Sequence, residues 1–292
     1  MPKLASSIST QRYKGSRGIT LVADVGGDPA SPPVLLLHGG GQTRHSWSGA
    51  MHNLVARGYF VVNLDARGHG DSEWASDGDY TLSTLAQDIA CVMSTLSARP
   101  ALVGASMGGA ASLLLVGTSS EDTAAALVLV DIVPLIEASG ASRIRAFMTD
   151  HLGGFATLQD AALAIAAYSP ERSRPTSEVG LQKNLRRRAD GRFYWHWDPR
   201  VVLGRGGSGS LTLDQLPQAA ETVRIPTLLV RGLKSDVVSD AGVADLKRRI
   251  PQLEVFNVAE AGHMVAGDRN DLFNQAVGRF LEVRFPIANG RG

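Results

Sequence analysis

A serine occurs in the sequence Gly104-Ala105-Ser106-Met107-Gly108, at the end of an apolar run. The run over 101–105 predicts a buried strand, and the apolar stretch over 110–116 predicts a helix. A serine at a sharp turn between strand and helix is typical of a nucleophile elbow, in which the flanking residues must be small because strand and helix pack closely. We therefore predict that Ser106 is a nucleophile, in preference to an ordinary residue of a glycine-rich turn.

A serine hydroxyl is a poor nucleophile at neutral pH unless an imidazole takes its proton and a carboxylate orients that imidazole. His263 is the preferred base because it follows the last predicted strand and a small residue, Gly262. His38 is expected to support the adjacent glycine run, and His69 to belong to a folded loop. Surface or local packing roles are expected for His45, His52 and His151.

Two aspartates compete for the role of the acid. Asp236 follows the penultimate predicted strand, whereas Asp131 ends the strand that comes after the elbow. Either side chain could reach the imidazole, and either could instead cap a helix or a loop. We prefer Asp236 and retain Asp131 as the alternative.

Backbone N–H groups are expected to stabilise an anionic tetrahedral intermediate. Met107, directly after the serine, begins the predicted helix and offers one amide. The run His38-Gly39-Gly40-Gly41 follows a predicted strand and offers another, which we assign to Gly40. A tight turn would also account for the glycines, but glycine allows the backbone to approach a substrate closely.

Strands alternate with helices over most of the chain, which predicts an α/β fold with a doubly wound, mostly parallel sheet. Ligands bind at the carboxyl ends of strands in such sheets, where all the candidate residues fall. Residues 8–25 are expected to form one or two edge strands. Further strands are predicted at 33–37, 59–64, 101–105, 126–130, 226–231 and 253–258.

The pattern changes between residues 134 and 217, where helical periods occur at 141–152, 155–168 and 177–190 without a convincing strand. We predict a helical lid over 134–217, inserted into a core formed by 1–133 and 218–292. The lid aromatics Trp195, Trp197 and Tyr168 are candidates for an apolar substrate pocket, although packing of the lid on the core is the preferred explanation for such aromatics. Arg186-Arg187-Arg188 is expected to be a solvated helix end, and 204–210 a flexible loop.

Composition narrows the range of partners. The 292 residues include 29 Lys and Arg against 28 Asp and Glu, so no overall charge favours nucleic acid or an anionic membrane. No apolar run resembles a signal peptide or a membrane span, which predicts a cytoplasmic protein. The single cysteine, Cys91, excludes a disulfide framework and a cysteine zinc site. The sequence leaves the oligomeric state, monomer or homodimer, open.

With these residues assigned, the sequence closely resembles the α/β-hydrolase superfamily over nearly its whole length, and most of all its lidded esterases, cofactor-free haloperoxidase-like enzymes and carbon–carbon bond hydrolases. The resemblance rests on the segments 38–40, 65–72, 104–108, 232–236 and 262–263. It implies Ser106 as nucleophile, His263 as base and Asp236 as acid. A serine at the elbow argues against epoxide hydrolases and haloalkane dehalogenases of this fold, which carry an aspartate there.

The expected activity is a serine hydrolase that cleaves a carboxylic ester or lactone of a small, mainly apolar substrate through an acyl-enzyme. Alternatives within the same machinery are a β-diketone-type carbon–carbon bond hydrolase and a perhydrolase. An alternative of another class is a ligand-binding protein with vestigial turnover. None of the enzymatic alternatives requires a metal or a cofactor.

Overall fold

Ten strands build the described part of the chain, which in this computed structural model comprises residues 8–119, 123–168, 178–204, 212–265 and 270–287. They are β1 (Ser9–Lys14), β2 (Thr20–Gly26), β3 (Pro33–Leu37), β4 (Phe60–Leu64), β5 (Ala101–Ala105), β6 (Ala126–Val130), β7 (Leu185–Arg187), β8 (Phe193–Trp195), β9 (Thr227–Gly232) and β10 (Glu254–Val258). Eight of them form one sheet in the order β1-β2-β4-β3-β5-β6-β9-β10.

The helices follow the same alternation with the strands. They are α1 (Ser48–Ala56), α2 (Leu82–Met93), α3 (Met107–Thr118), α4 (Ala138–Asp150), α5 (Leu158–Tyr168), α6 (Glu178–Gln182), α7 (Arg200–Leu203), α8 (Leu216–Thr222), α9 (Asp240–Arg249) and α10 (Asn270–Arg284). Short 3₁₀ helices occur at Ser16–Gly18 and Arg44–Trp47.

The six strands from β4 to β10 in this order are parallel, and β2 pairs antiparallel with both β4 and the edge strand β1. This confirms the predicted α/β, mostly parallel sheet and the edge strands near the amino terminus. The carboxyl ends of the parallel strands all lie on the same side of the sheet, so the loops after β3, β5, β6, β9 and β10 meet there.

Helices cover both faces of the sheet, which explains why its central strands are continuously apolar. In β3, Leu35 and Leu37 belong to one buried cluster together with residues of α2 and α3. Val34 and Leu36 belong to the second cluster, with residues of α1 and α10. Two cores, one on each face, therefore hold the strand ends rigidly in place.

The segment predicted to be a lid carries α4 to α7 and the first two residues of α8, but it also contains a two-stranded antiparallel sheet in which Leu185 pairs with Trp195. The expected helix over 177–190 was wrong beyond Gln182, and Arg186 to Arg188 form part of a hairpin rather than a helix end. An Asp190-Gly191 pair lies in its turn, where Gly191 has φ +82°. This pair is a common hairpin signal, and aromatic residues favour the following strand. Most of the proposed flexible loop, 205–210, lies outside the described residues.

Candidate active site

The turn at Ser106 is strained. Ser106 lies between the end of β5 and the start of α3, with φ 45° and ψ −113°. Residues other than glycine rarely adopt this backbone conformation. A Cβ at Gly104 would lie 2.5 Å from the amide nitrogen of Gly109, and a Cβ at Gly108 would lie 2.5 Å from the carbonyl oxygen of Leu37. The tight packing therefore requires both flanking glycines, as the sequence motif predicts.

His263 lies in the loop after β10, and its Nδ1 is 2.8 Å from Oδ2 of Asp131. Asp131 follows β6 directly, with φ +48°, and its side chain is fully buried. The histidine side chain is 10% exposed, so the pair is largely shielded from solvent. The structure thus brings together His263 and the alternative of the two candidate acids.

Two further donors reach the Asp131 carboxylate from the last residue of β9 and from the loop that follows. The amide of Gly232 donates to Oδ1 at 3.0 Å, and the hydroxyl of Ser235 donates to Oδ2. A buried charge is costly unless it is hydrogen-bonded, and both oxygens of this carboxylate have donors. The orientation of the side chain is thereby defined from two sides.

Asp236, the preferred acid, does not contact His263. Its Oδ2 is 2.7 Å from Nε of Arg143 on α4, and both side chains of this pair are partly exposed. The preference was wrong because neighbouring residues of the loop direct their side chains differently. Ser235 turns toward Asp131, whereas Asp236 turns toward α4.

The loop after β3 uses the amides on either side of Gly40. Gly39 donates to Oε1 of Gln42 at 3.1 Å, and Gly41 donates to Nε2 of His69 at 3.2 Å. Within the described residues, the amide of Gly40 donates to no protein acceptor. Gly40 therefore offers an amide in this loop that is available to bind an anion.

Met107 offers a second free amide at the first position of α3, where N–H groups have no partner inside the helix. A Cβ at Gly40 would lie 4.0 Å from Cβ of Met107, so the two residues are neighbours. The helix amino terminus adds a favourable partial charge for an anion next to these two amides.

Two buried histidines connect this loop to the loop after β4. Nε2 of His38 accepts from the amide of Ala66 at 3.0 Å, while its Nδ1 is 2.8 Å from the carbonyl oxygen of Gly39. His69, in the β4 loop, accepts from Gly41 and places Nδ1 3.1 Å from the carbonyl oxygen of Arg67. Each loop thus contributes one imidazole that binds the other loop, and the rings are 5.0 Å apart.

These imidazoles accept a hydrogen bond only when they are neutral. Burial lowers the pKa of His38 to about 4, an effect that its bond to Gly39 opposes and the charge of Arg44 reinforces. Burial, with the nearby His38, lowers the pKa of His69 to about 3. Both rings are therefore neutral acceptors at physiological pH.

The loop after β4 also binds the β7–β8 hairpin. Gly70 donates to the carbonyl oxygen of His196 at 2.7 Å, and Asp198 donates to the carbonyl oxygen of Gly68 at 2.8 Å. Arg186 on β7 donates to the carbonyl oxygen of Gly70 at 2.8 Å. The hairpin is thus joined to the loop that supports the Gly40 segment by the Arg186 side chain and by backbone hydrogen bonds of the residues directly after β8.

Two of the three candidate pocket aromatics pack within the lid segment. Phe147 on α4 stacks on Tyr168, with ring centroids 4.4 Å apart, and also contacts Trp195 at 5.8 Å. Phe155 meets Trp195 edge to face at 5.2 Å. These contacts give Tyr168 and Trp195 a packing role.

Trp197 lies closer to the glycine loop. A Cβ at Gly41 would be 3.8 Å from Nε1 of Trp197 and 3.1 Å from Cε of Met148. Both side chains are buried. An indole and a thioether thus border the loop that carries the free Gly40 amide.

Other site types find no support among the residues that the structure describes. No group of three or more His, Cys, Asp or Glu side chains is arranged to hold a metal ion. In the same ranges, no helix combines the length and the apolar character needed to cross a bilayer.

Sequence reasoning missed two residues that organise this site, Gln42 and Ser235, and gave His69 no specific partner. Their partners are backbone amides or a distant carboxylate, which leave no periodic pattern in a sequence. Only the position of each residue, in a loop that follows a parallel strand, was an available signal.

Residues 32–269 match the family model described as the alpha/beta hydrolase fold, and the chain belongs to this family. Among curated relatives, the esterase Rv0045c of Mycobacterium tuberculosis is 28% identical over 287 residues, which are 96% of this chain and 88% of the relative. The sn-1-specific diacylglycerol lipase ABHD11 of Mus musculus is 29% identical, over 87% of this chain and 82% of the lipase.

Solved structures agree on the fold. E-2-(acetamidomethylene)succinate hydrolase superposes with a TM-score of 0.80 at 24% identity, covering 94% of this chain and all of the other. A structure of the M. tuberculosis esterase Rv0045c superposes with a TM-score of 0.75 at 26% identity, covering 97% of this chain and 94% of the esterase.

Proposed function

We propose that this ester hydrolase of the α/β-hydrolase fold cleaves its substrate through an acyl-enzyme on Ser106, with His263 as base and Asp131 as acid. The observation that carries the proposal is the 2.8 Å contact between Nδ1 of His263 and the buried carboxylate of Asp131. With Nδ1–H donated to the carboxylate, Nε2 is left without a proton and can accept the one on Ser106.

In the first half of the reaction, the oxygen of Ser106 attacks the ester carbonyl as His263 takes the serine proton. The charge that develops on the carbonyl oxygen is stabilised by the amides of Gly40 and Met107. The imidazolium then protonates the leaving alcohol, and the C–O bond breaks. Water, deprotonated by the same imidazole, releases the acid and regenerates the serine.

The substrate that this site favours is a carboxylic ester or lactone whose acyl or alcohol part is small and mainly apolar. Met148 and Trp197 border the glycine loop and offer an apolar surface next to the free amide of Gly40. The relatives named esterase and diacylglycerol lipase support an ester as the bond that is cleaved.

The test compares the wild-type protein with Ser106→Ala on p-nitrophenyl acetate, butyrate and octanoate. We expect the variant to lose at least about 10³-fold in kcat, because both half-reactions pass through the serine oxygen. Mass spectrometry of the quenched wild type should find the acyl mass on the peptide that carries Ser106.

Ser112→Ala is the matched control. Ser112 is buried on α3, the helix that follows Ser106. Its hydroxyl donates to the carbonyl oxygen of Gly108 at 2.7 Å, away from the proposed chemistry. It should keep wild-type turnover. Equal rates for Ser106→Ala and wild type, or an acyl group on another residue, would contradict the proposal. A preference for β-diketones over every ester would replace the substrate class.

A further inference from the structure

The loop after β9 is held firmly against the loop that carries His263. Leu233 donates from its amide to the carbonyl oxygen of Val258 at 3.0 Å, and Lys234 donates to that of Ala261 at 2.9 Å. The amide of Ser235 closes the turn by donating to Gly232 at 3.1 Å. Ser235 therefore has a defined position relative to the imidazole two residues beyond Ala261.

The hydroxyl group of Ser235 has only one direction in which to donate. Its oxygen accepts from the amides of Val237, at 3.2 Å, and Val238, at 3.3 Å. An amide cannot accept in return, so the hydroxyl proton is directed to the carboxylate of Asp131. The accepting atom, Oδ2, is the oxygen that also faces Nδ1 of His263.

We propose that Ser235 is a positioning residue for the catalytic acid, which holds Oδ2 of Asp131 in the orientation that binds His263. The inference rests on the proposed function, since it assigns Ser235 a role only through that acid. Gly232, the last residue of β9, binds the other carboxylate oxygen, so this strand and the loop after it together determine the rotation of the Asp131 side chain.

Loss of the hydroxyl leaves Oδ2 with the imidazole as its single donor among these groups. The carboxylate can then rotate about its Cβ–Cγ bond, and His263 is oriented less well for proton transfer in both half-reactions. We expect Ser235→Ala to lower kcat by about 10- to 100-fold, the range associated with one hydrogen bond to a charged group. KM should stay within about twofold because Ser235 does not contact the glycine loop.

Ser239→Ala is the matched control for the folding role of Ser235. Both serines lie in the same segment and accept backbone amides, and Ser239 caps α9 by accepting from Gly242 at 3.2 Å. Removing either acceptor should lower the urea midpoint to a similar extent, because each hydroxyl oxygen accepts from backbone amides. Only Ser235 donates to Asp131, so only its variant should lose kcat. Ser235→Thr keeps the hydroxyl and should recover most of the activity.

A double-mutant cycle separates positioning from general damage. Ser235→Ala is measured with p-nitrophenyl butyrate in the wild type and in the Asp131→Ala background. If the hydroxyl acts through the carboxylate, adding Ser235→Ala to the Asp131→Ala variant should lower kcat by less than about threefold, because the acceptor of the hydroxyl is already absent. Labelling of Ser106 by a fluorophosphonate probe should slow in parallel with kcat.

The outcomes distinguish the inference from the proposed function. A Ser235→Ala variant with the turnover of Ser239→Ala would overturn the inference, and so would an equal loss in both backgrounds of the cycle. If Ser106→Ala stays active, the proposed function itself fails. If Ser106→Ala is inactive while Ser235→Ala is fully active, the function stands and only the role of Ser235 is refuted.

Discussion

Asp131 and Asp236 follow neighbouring strands of the same sheet, yet they lie in different kinds of environment. Asp131 is fully buried and contacts His263, Ser235 and the amide of Gly232. Asp236 is one-third exposed and pairs with Arg143 of α4, whose side chain is 44% exposed. The carboxylate of Asp131 is thus surrounded by hydrogen-bond donors next to His263. The carboxylate of Asp236 instead forms a contact between the core and the lid segment.

The contrast shows that a position at the carboxyl end of a parallel strand does not by itself bring an aspartate into contact with His263. In the loop after β9, two adjacent side chains point in different directions. Ser235 contacts Asp131, whereas Asp236 contacts Arg143 on α4. A buried, fully bonded carboxylate can orient an imidazole with little reorganisation, whereas a partly exposed ion pair is screened by solvent.

The largest expected effect comes from the buried acid. Asp131→Asn should lower kcat on p-nitrophenyl butyrate by roughly 10³- to 10⁴-fold, because the amide no longer favours the required tautomer of His263. KM should change little. Circular dichroism should establish that the variant is folded, and a variant with more than a tenth of wild-type kcat would remove Asp131 from the proposed triad.

A smaller loss is expected from the histidine beneath the glycine loop. His69→Leu removes the acceptor of the Gly41 amide, so the Gly40 amide is oriented less well, and kcat should fall by about 10- to 100-fold. His69→Gln is the control, because its side-chain oxygen can reach the position of Nε2. If His69→Leu and His69→Gln have the same kcat, the hydrogen bond accepted from the Gly41 amide does not influence turnover.

Acid should destabilise the protein through its buried neutral histidines. His38 and His196, both with a pKa lowered to about 4, and His69, with a pKa of about 3, bind protons more weakly when folded than the usual value of 6.5 in the unfolded chain. The unfolded state therefore takes up more protons below pH 6.5, and stability falls as the pH drops from 6.5 toward 4.

This pH effect is measured as the free energy of unfolding in urea between pH 7 and pH 4.5. We expect that free energy to fall steadily, by about 2 to 3 kcal/mol for each such histidine. A variant of an exposed histidine, His52→Gln, should show the same fall. A flat profile over this range would mean that folding does not lower the pKa values of these rings.

The smallest effect is expected at the lid contact. Asp236→Asn should change kcat by less than about threefold and stability by less than about 1 kcal/mol, since a partly exposed ion pair contributes little. Arg143→Gln, the other half of the pair, should behave alike. The ratio of the Asp131→Asn and Asp236→Asn losses is the sharpest measure of the comparison, and a larger loss for Asp236→Asn would reverse the choice of acid.

The parts of the fold that could be predicted from sequence depend on short-range patterns. The apolar runs at Pro33–Leu37 and Ala126–Val130 are buried on both faces, and such runs indicate central parallel strands. The β7–β8 hairpin escaped prediction because each strand has three residues, too few to establish a period. Its turn signal at Asp190-Gly191 was present but was outweighed by the helical pattern around it.

The sequence by itself determined the sheet, the elbow at Ser106 and the choice of His263, because each is encoded within a few consecutive residues. Only the tertiary structure decided that Asp131 and not Asp236 meets the imidazole, that Ser235 supports it, and that His38 and His69 join two loops. These contacts connect residues far apart in the chain. Their geometry depends on which strands lie side by side and on the direction of single side chains, and hydrophobic periodicity indicates neither.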